Sequence, residues 1–174
     1  MVELVSITTP NILHKEMALA ALAAGKHVWC EKPLALTTAD TAELVAAAER
    51  AGTTTLVGYN YIRSPAMAFA KKLVAEGELG AVTQFRALFD EDFMGPADFP
   101  FSWRCETAKA GTGALGDMGS HLVNLAHYLV GPIVEVSAAL STAIPERRDA
   151  EGRMRPVEND DVAEVLVRFA NGAI

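Results

Sequence analysis

The feature of this sequence that most constrains its fold is an alternation of short apolar runs with longer Ala- and Leu-rich segments near its beginning. The apolar runs, which are typical of buried strands, lie at residues 2–7, 27–30 and 53–57. The segments between them, at about 12–24 and 40–50, have the composition of helices. Strands that alternate with helices through short loops predict a parallel sheet with crossover helices.

Local signals mark the ends of these two predicted helices. Gly25 and Gly52 directly follow them, and glycine is the residue that most often ends a helix. Asp40 with Glu43 is predicted to cap the second helix at its start. Because parallel strands point the same way, we expect the residues that follow them to meet at one edge of the sheet.

The pattern changes after Gly58. The predicted elements beyond it are helices at 65–76 and 113–129, strands at 82–89, 133–141 and 161–169, and polar loops at 90–111 and 145–160. Residues 161–169 alternate apolar and polar side chains, as a half-buried antiparallel strand does. The predicted fold class is therefore α/β followed by α+β. Residues 1–58 form the rear part of a doubly wound domain, and residues 59–174 form an α+β domain built on an antiparallel sheet.

Composition excludes several classes of partner. The net charge is −7, the pI is near 5.1, and the 15 Lys and Arg residues are scattered, which argues against nucleic acid and anionic membranes. No apolar run reaches the roughly 18 residues of a membrane helix, and the opening residues lack the basic region of a signal peptide. Cys30 and Cys105 lack metal-binding spacing, as do the histidines. We therefore expect a cytoplasmic protein without a metal site and without nucleic-acid or membrane partners.

Lys32 is the first candidate functional residue. It stands directly after the second predicted strand, between Glu31 and Pro33. Ligands of open α/β sheets bind beyond the carboxyl ends of the strands, so this lysine is placed to face a ligand crevice. A partly buried lysine can orient and polarise a hydroxyl or carbonyl group. The sequence alone leaves open the alternative of a solvated lysine in a turn.

Asp117 and His121 form the second candidate group. They lie four residues apart in GALGDMGSHL, and on a helix this spacing places them on one face. A histidine can move a proton near neutral pH, and a neighbouring carboxylate can orient it or a substrate hydroxyl. The structural alternative, which also stays open, is an aspartate that favours the helix dipole beside a half-buried histidine.

Residues 111–116, GTGALG, match the GxGxxG fingerprint of dinucleotide-binding loops. That fingerprint must follow a strand, whereas the preceding SWRCETAKA is polar and typical of a loop. We therefore interpret the match as coincidental and expect no cofactor phosphate there.

Several short motifs occur in a specific order along nearly the whole chain. They are Thr9-Pro10-Asn11 with His14, Glu31-Lys32-Pro33, Gly58-Tyr59-Asn60-Tyr61, Trp103-Arg104 and the stretch from Gly113 to His121. Together they resemble the glucose–fructose oxidoreductase/inositol dehydrogenase (Gfo/Idh/MocA) family. The resemblance implies a Rossmann domain followed by an antiparallel-sheet domain, NAD or NADP as cofactor, and oxidation of a hydroxyl of a sugar, inositol or anhydrosugar.

The resemblance also implies roles for individual residues. Lys32 would be the catalytic lysine, Asp117 would bind a substrate hydroxyl, and His121 would be the general base while a hydride passes to nicotinamide. Tyr61 and Asn124 would contact the substrate, although the family pattern often carries Asp at the second position. The residues that would line the cofactor crevice are Thr9, Pro10, Asn11, His14, Glu31, Trp103 and Arg104.

The two ends depart from the family pattern. Members of the family begin with a strand, a Gly-rich loop and a helix that bind the pyrophosphate, and they continue beyond Ile174. We expect a chain truncated at both ends that binds cofactor weakly by itself, and homo-oligomers that form through the antiparallel sheet. Two alternatives remain: a lyase or glycosidase on the same fold that uses nicotinamide transiently, and a non-catalytic homologue.

Overall fold

The first part of the chain forms a parallel sheet. In a computed structural model, which describes residues 2–174, its strands are β1 (Leu4–Ile7), β2 (His27–Cys30) and β3 (Thr55–Val57), in the order β1-β2-β3. All neighbouring strands are parallel. Their last residues are in register, so the loops that follow the strands share one edge of the sheet. The three predicted strands are confirmed.

Two helices connect these strands. α1 (His14–Ala23) follows a short 3-10 turn, and α2 (Thr38–Ala51) ends at Gly52, whose φ of 62° is left-handed. The prediction that Asp40 begins the second helix is wrong, because Thr37 caps it. The Thr37 hydroxyl accepts from the Asp40 N–H at 3.1 Å and donates to the Asp40 carboxylate at 2.7 Å.

The sheet and its helices enclose a small core. Its central side chains are at most 7% exposed and come from Ile7, Ala18, Ala21, Leu22, Val28, Cys30 and Leu44. Burial of each larger aliphatic side chain contributes about 1.5–3 kcal/mol. This packing fixes the ends of β1 and β2, and with them the loops that carry the candidate functional residues.

The second part combines helices with antiparallel strands. Its helices are α3 (Pro65–Ala75), α4 (Thr107–Ala110) and α5 (Ser120–Leu129). β4 (Ile133–Ser141) pairs antiparallel with β7 (Val162–Phe169), which confirms both predicted strands. The loop predicted at 145–160 is only partly correct, since β5 (Glu146–Arg148) and β6 (Met154–Pro156) form a hairpin within it.

The strand predicted at 82–89 is wrong. Within residues 2–174 this segment makes no regular ladder, and its strand-like backbone bonds are two that involve Ile174. The Phe85 N–H donates to the Ile174 carbonyl at 2.9 Å, and the Ile174 N–H donates to the Thr83 carbonyl at 3.2 Å. Apolar composition favours an extended conformation here, but a strand also needs a neighbour along its length.

The helix predicted at 113–129 has two parts. Residues Leu115–Gly119 form a π-helical turn that continues into α5. A π turn widens the backbone and changes which side chains share a face, and such turns are frequent at functional sites. Asp117 therefore lies in the π turn, whereas His121 lies in the regular helix.

Candidate active site

A cavity of about 810 Å³ opens at the carboxyl edge of the parallel sheet. Its walls include the loops after β1 and β2, the segment around 89–95, the Trp103–Cys105 turn, and the start of the π turn. This volume lies within the range of small-molecule sites, and the position is the one at which open α/β sheets bind ligands.

Lys32 lies in the wall of this cavity and pairs with Asp117. Its Nζ donates to the Asp117 carboxylate and, at 2.7 Å, to the Asp117 backbone carbonyl. The Lys32 side chain is only 13% exposed. The alternative of a solvated lysine in a turn is therefore wrong.

Asp117 has a second cationic partner in Arg104. The Arg104 Nε lies 3.4 Å from the other carboxylate oxygen, and the guanidinium stacks on Trp103 with 4.5 Å to the ring centroid. Phe93 lies on the guanidinium as well, at 5.5 Å. One carboxylate thus holds two cations at the cavity surface, and this arrangement orients both of them.

His121 lies among aromatic rings beside this charged group. Its ring centroid is 4.6 Å from that of Tyr61 and 5.8 Å from that of Tyr59, both edge-to-face, and it stacks on Phe89 at 6.4 Å. The side chain is 8% exposed, and its Nδ1 has no hydrogen-bond partner within residues 2–174. This environment favours the neutral imidazole over the charged form.

The pKa of His121 is lowered from its ordinary value of 6.5. Burial is the main cause, and the positive charge of Lys32 acts in the same direction. The carboxylates of Asp117 and Glu31 oppose the shift without cancelling it. At neutral pH the imidazole is therefore unprotonated and able to accept a proton.

Most of the residues predicted to bind cofactor line the cavity. They are Thr9, Pro10, Asn11, Glu31, Trp103 and Arg104. The Asn11 side-chain amide also donates to the carbonyl of Ala110 at 2.9 Å, and so joins the loop after β1 to the end of α4. A Cβ at Gly58 would lie 2.9 Å from the Glu31 carboxylate, so a side chain there would require Glu31 to move.

His14 is placed differently from the other predicted crevice residues. Its side chain is fully buried, with the two ring nitrogens 2.8 Å from the Pro33 carbonyl and 2.9 Å from the Thr9 carbonyl. The ring lies behind the cavity wall and joins the loops that follow β1 and β2. Any effect of His14 on a ligand therefore passes through the positions of Thr9 and Lys32.

The two predicted substrate residues, like His121, lie outside the cavity lining. Tyr61 packs on His121 and on Phe89, whose ring centroid is 5.5 Å away. Asn124 lines a separate shallow depression that it shares with Tyr59 and His127. The placement of Asn124 therefore gives no support to a direct contact between this residue and a ligand in the main cavity.

The fingerprint-like stretch 111–116 follows α4 rather than a strand, as its sequence context indicates. Its backbone N–H groups are already bound by a carboxylate of the same chain. Asp160 accepts from the N–H of Gly113 at 2.8 Å and from that of Leu115 at 2.7 Å. This context supports the interpretation of the match as coincidental, because these two donors are not free for a phosphate.

Sequence reasoning missed several residues of the site. Tyr59 and Phe89 enclose His121, and Asn159 and Asp160 bind the backbone around Arg104 and Gly113. For Asn159 and Asp160, the only local signal is the run Glu158-Asn159-Asp160-Asp161 within a charged loop. Nothing in that run indicates that its partners lie about 45 to 55 positions earlier.

Among residues 2–174, no helix combines the length and apolar character that crossing a bilayer requires. Over the same range, no three His, Cys, Asp or Glu side chains are grouped so that they could ligate a metal.

Comparison with known proteins identifies two family models. Residues 1–59 match the oxidoreductase family with an NAD-binding Rossmann fold, and residues 67–174 match the GFO/IDH/MocA C-terminal domain. Levoglucosan dehydrogenase of Pseudarthrobacter phenanthrenivorans is 42% identical over 99% of this chain and 48% of its own length. Glucose-6-phosphate 3-dehydrogenase of Bacillus subtilis is 32% identical over 95% of this chain and 47% of its own length.

Solved structures give the same result. An NAD binding oxidoreductase from Klebsiella pneumoniae has a TM-score of 0.93 at 46% identity and covers 99% of this chain. Levoglucosan dehydrogenase in complex with NADH and L-sorbose has a TM-score of 0.94 at 44% identity and covers 98%. Each match spans 46% of the solved chain, so this chain is about half the length of the relatives it matches. These similarities confirm the predicted fold class.

Proposed function

The chain belongs to the GFO/IDH/MocA family of oxidoreductases, and we propose that it carries the substrate-side chemistry of an NAD(P)-dependent dehydrogenase. The reaction is oxidation of a hydroxyl of a sugar, inositol or anhydrosugar. The observation that carries this proposal is the Lys32–Asp117 pair in the cavity wall, with the neutral His121 next to it. Relatives with NADH and sugars in their structures support the same reaction class.

The cavity fits the nicotinamide side of the cofactor. Its position beyond the strand ends, its volume and its polar and aromatic walls suit a planar amide-bearing ring. The side chains that would hold this part of the cofactor are Thr9, Asn11, Glu31, Trp103 and Arg104. When bound, NAD or NADP would accept a hydride from the substrate carbon.

Lys32 and Asp117 would orient the reacting hydroxyl. The Lys32 ammonium can donate to the hydroxyl oxygen while Asp117 keeps the ammonium in place. As the hydroxyl loses its proton, negative charge develops on that oxygen, and a fixed ammonium in a partly dry cavity stabilises it. Asp117 can also accept a hydrogen bond from a neighbouring substrate hydroxyl, because its second oxygen makes only the 3.4 Å contact with Arg104.

His121 would be the proton acceptor. The hydroxyl proton of the substrate would pass to the imidazole, which would become an imidazolium as the substrate is oxidised to a carbonyl compound. The lowered pKa of His121 keeps the imidazole ready to accept the proton at neutral pH. Tyr59, Tyr61 and Phe89 hold its ring in one orientation.

The charges of the cavity favour an uncharged substrate. Lys32 and Arg104 both face Asp117, and the guanidinium of Arg147 donates to backbone carbonyls of the 94–99 segment. Asp90 and Glu91 add two exposed carboxylates to the lining. A sugar phosphate would therefore meet negative charge without an uncommitted cation among the described lining residues. A neutral polyol or anhydrosugar avoids this cost.

We also propose that the chain divides into residues 1–58 and 59–174 and that homo-oligomers form through the β4–β7 sheet. That sheet exposes apolar side chains, among them Val134 at 58%, Val136 at 65% and Leu166 at 63%. A cytoplasmic location agrees with two free, buried cysteines, Cys30 and Cys105. Light scattering of the purified protein would measure the oligomer directly.

The test is a substrate screen with a full-length protein that contains this chain. Neutral sugars, inositols and anhydrosugars are compared with sugar phosphates, each with NAD and with NADP, by the absorbance of the reduced nicotinamide. We expect cofactor reduction with neutral substrates and much lower kcat/KM with phosphates. Product formation without net cofactor reduction would instead indicate a lyase or glycosidase, and no turnover with any of these classes would refute the proposal.

A further inference from the structure

The connection from β6 to β7 contains four polar residues, Glu158–Asp161, which the proposed reaction does not use. They bind backbone and side-chain groups on several elements around the cavity. Asn159 is 4% exposed although its side chain is polar. Buried polar groups of this kind persist where their hydrogen bonds hold other elements in place.

Asp160 binds the turn that leads into Asp117. Its carboxylate accepts from the N–H of Gly113 at 2.8 Å and of Leu115 at 2.7 Å, and its carbonyl accepts from the N–H of Ala114 at 2.9 Å. The Asp117 N–H in turn donates to the Gly113 carbonyl at 2.9 Å. Three consecutive donors at the start of the π turn are thus satisfied by one residue.

The contact between this turn and Asp160 is too close for a side chain at residue 113. A Cβ at Gly113 would overlap the Asp160 carbonyl oxygen. The absence of a side chain at Gly113 therefore allows the two backbones to approach each other closely. This close fit means that a displacement of Asp160 displaces the turn with it.

Asn159 binds the backbone of Arg104, which is the second cationic partner of Asp117. Its side-chain amide donates to the Arg104 carbonyl at 2.6 Å, and its carbonyl oxygen accepts from the Thr107 hydroxyl at 2.8 Å. The Trp103–Cys105 turn, which carries the Arg104 guanidinium, is held by these bonds. Two adjacent residues therefore fix two elements whose side chains meet at the Asp117 carboxylate.

We propose that Asn159 and Asp160 are positioning residues, which hold Asp117 in place between Lys32 and Arg104. This inference rests on the proposed function, because it concerns the geometry of the same reacting group. Neither residue takes part in proton or hydride transfer. A shift of about 1 Å at a reacting group can lower a rate by about 100-fold, so a positioning residue affects turnover without touching the substrate.

The experiment replaces Asp160 by Asn in a full-length protein that contains this chain. The amide preserves the size of the side chain but turns one acceptor into a donor, so the N–H of Gly113 or Leu115 loses its partner. The matched control is Asp149→Asn. Asp149 also accepts from two backbone N–H groups, those of Glu151 and Arg153 at 3.1 and 2.9 Å, but it lies in the β5–β6 turn outside the cavity lining.

Two measurements distinguish a positioning role of Asp160 from an effect on the stability of the protein alone. We expect Asp160→Asn to lower kcat about 10- to 100-fold with KM changed less than about threefold, while Asp149→Asn keeps kcat within about twofold. Hydrogen exchange should accelerate over residues 113–121 only in Asp160→Asn. A well-folded Asp160→Asn protein with the kcat and exchange of the unsubstituted protein would overturn the inference.

The same experiment distinguishes failure of the inference from failure of the proposed function. An unsubstituted protein without dehydrogenase activity refutes the proposed function, and the exchange measurement then decides whether Asp160 holds the turn. An active unsubstituted protein together with an equally active Asp160→Asn variant refutes only the positioning role. Asn159→Ala provides a second variant, and it should release the Trp103–Cys105 turn in the exchange measurement.

Discussion

Lys32 and Asp117 are 85 positions apart in the sequence, yet the lysine Nζ donates to both the carboxylate and the backbone carbonyl of the aspartate. The lysine comes from the end of a strand of the parallel sheet, and the aspartate comes from the π turn of the second part. The pair therefore forms only when both parts are folded against each other. It joins the cavity wall formed by the loops after the parallel strands to the wall formed by the π turn.

Lys32→Met removes the ammonium and leaves a chain of similar length. In a full-length protein we expect kcat/KM to fall by about 100- to 1000-fold, because the charge that stabilises the developing oxyanion is lost. Lys15→Met is the control. Lys15 pairs with Asp40 and Glu43 at the surface, at 2.5 and 2.7 Å, so its loss should leave kcat/KM within about twofold. Equal effects of the two variants would contradict the role of Lys32.

The pH dependence of kcat/KM should report the environment of His121. Burial and the charge of Lys32 lower the pKa of this histidine, so the acidic limb should lie below its ordinary value of 6.5. Phe89→Ala admits water beside the imidazole, raises its pKa and should move the limb to higher pH. Phe93→Ala removes a ring that contacts Phe99 and Arg104, and should leave the limb in place. An unshifted limb in Phe89→Ala would argue against His121 as the titrating base.

The same lowered pKa has a consequence for folding. The folded state favours the neutral imidazole, so between the two pKa values the unfolded chain binds more protons. The stability associated with this histidine is fully present above about pH 6.5 and is lost as the pH falls through the lowered folded value. His121→Asn should reduce that pH dependence in denaturant titrations over the acidic range. An identical pH dependence in both proteins would count against burial as the cause.

His14→Ala should destabilise the first part of the chain. It removes a fully buried ring, and with it the hydrogen bond that joins the ring to the loop carbonyls of Pro33 and Thr9. The expected loss in the free energy of unfolding is about 2–5 kcal/mol, measured by chemical denaturation. His27→Ala is the control, since that exposed ring accepts a single bond from the Thr54 N–H and should cost about 1 kcal/mol or less. Similar losses in both would show that His14 does not join the two loops.

Gly113→Ala and Gly119→Ala provide a test of close packing before and within the π turn. A Cβ at residue 113 would overlap the Asp160 carbonyl, whereas one at residue 119 would lie 3.2 Å from the end of the Leu115 side chain, which can move. We expect Gly113→Ala to lower the free energy of unfolding by about 2 kcal/mol or more. Gly119→Ala should change it by less than about 1 kcal/mol, since alanine favours helix and offsets the contact. A reversed order of these losses would disprove the packing argument.

The sequence allows prediction of the parts of this fold that depend on local pattern. β1 to β3, α1 and the β4–β7 pair follow from apolar periodicity and from the glycines that end helices. Lys32 is a candidate because it stands at a strand end, where ligands of open α/β sheets bind, although that position alone also fits a solvated lysine. The resemblance to a family adds Asp117 and His121, which local pattern leaves undecided.

The features that sequence reasoning missed depend on partners far along the chain. The segment 82–89 has strand-like composition, but its conformation depends on neighbours that composition does not reveal. Asp160 has its partners 45 and 47 positions earlier, so the charged loop shows nothing of its role. The π turn at Leu115–Gly119 is another such feature, since the sequence pattern there also fits a regular helix.

The bond from the Asn11 amide to the Ala110 carbonyl has a mechanical consequence. Together with the Lys32–Asp117 pair, it crosses between the Rossmann-like part and the antiparallel part at the rim of the cavity. A hinge rotation that opened the cavity at this rim would have to break both connections at once. Both connections therefore resist an opening of the cavity at this rim, and the two walls that carry them are expected to move together.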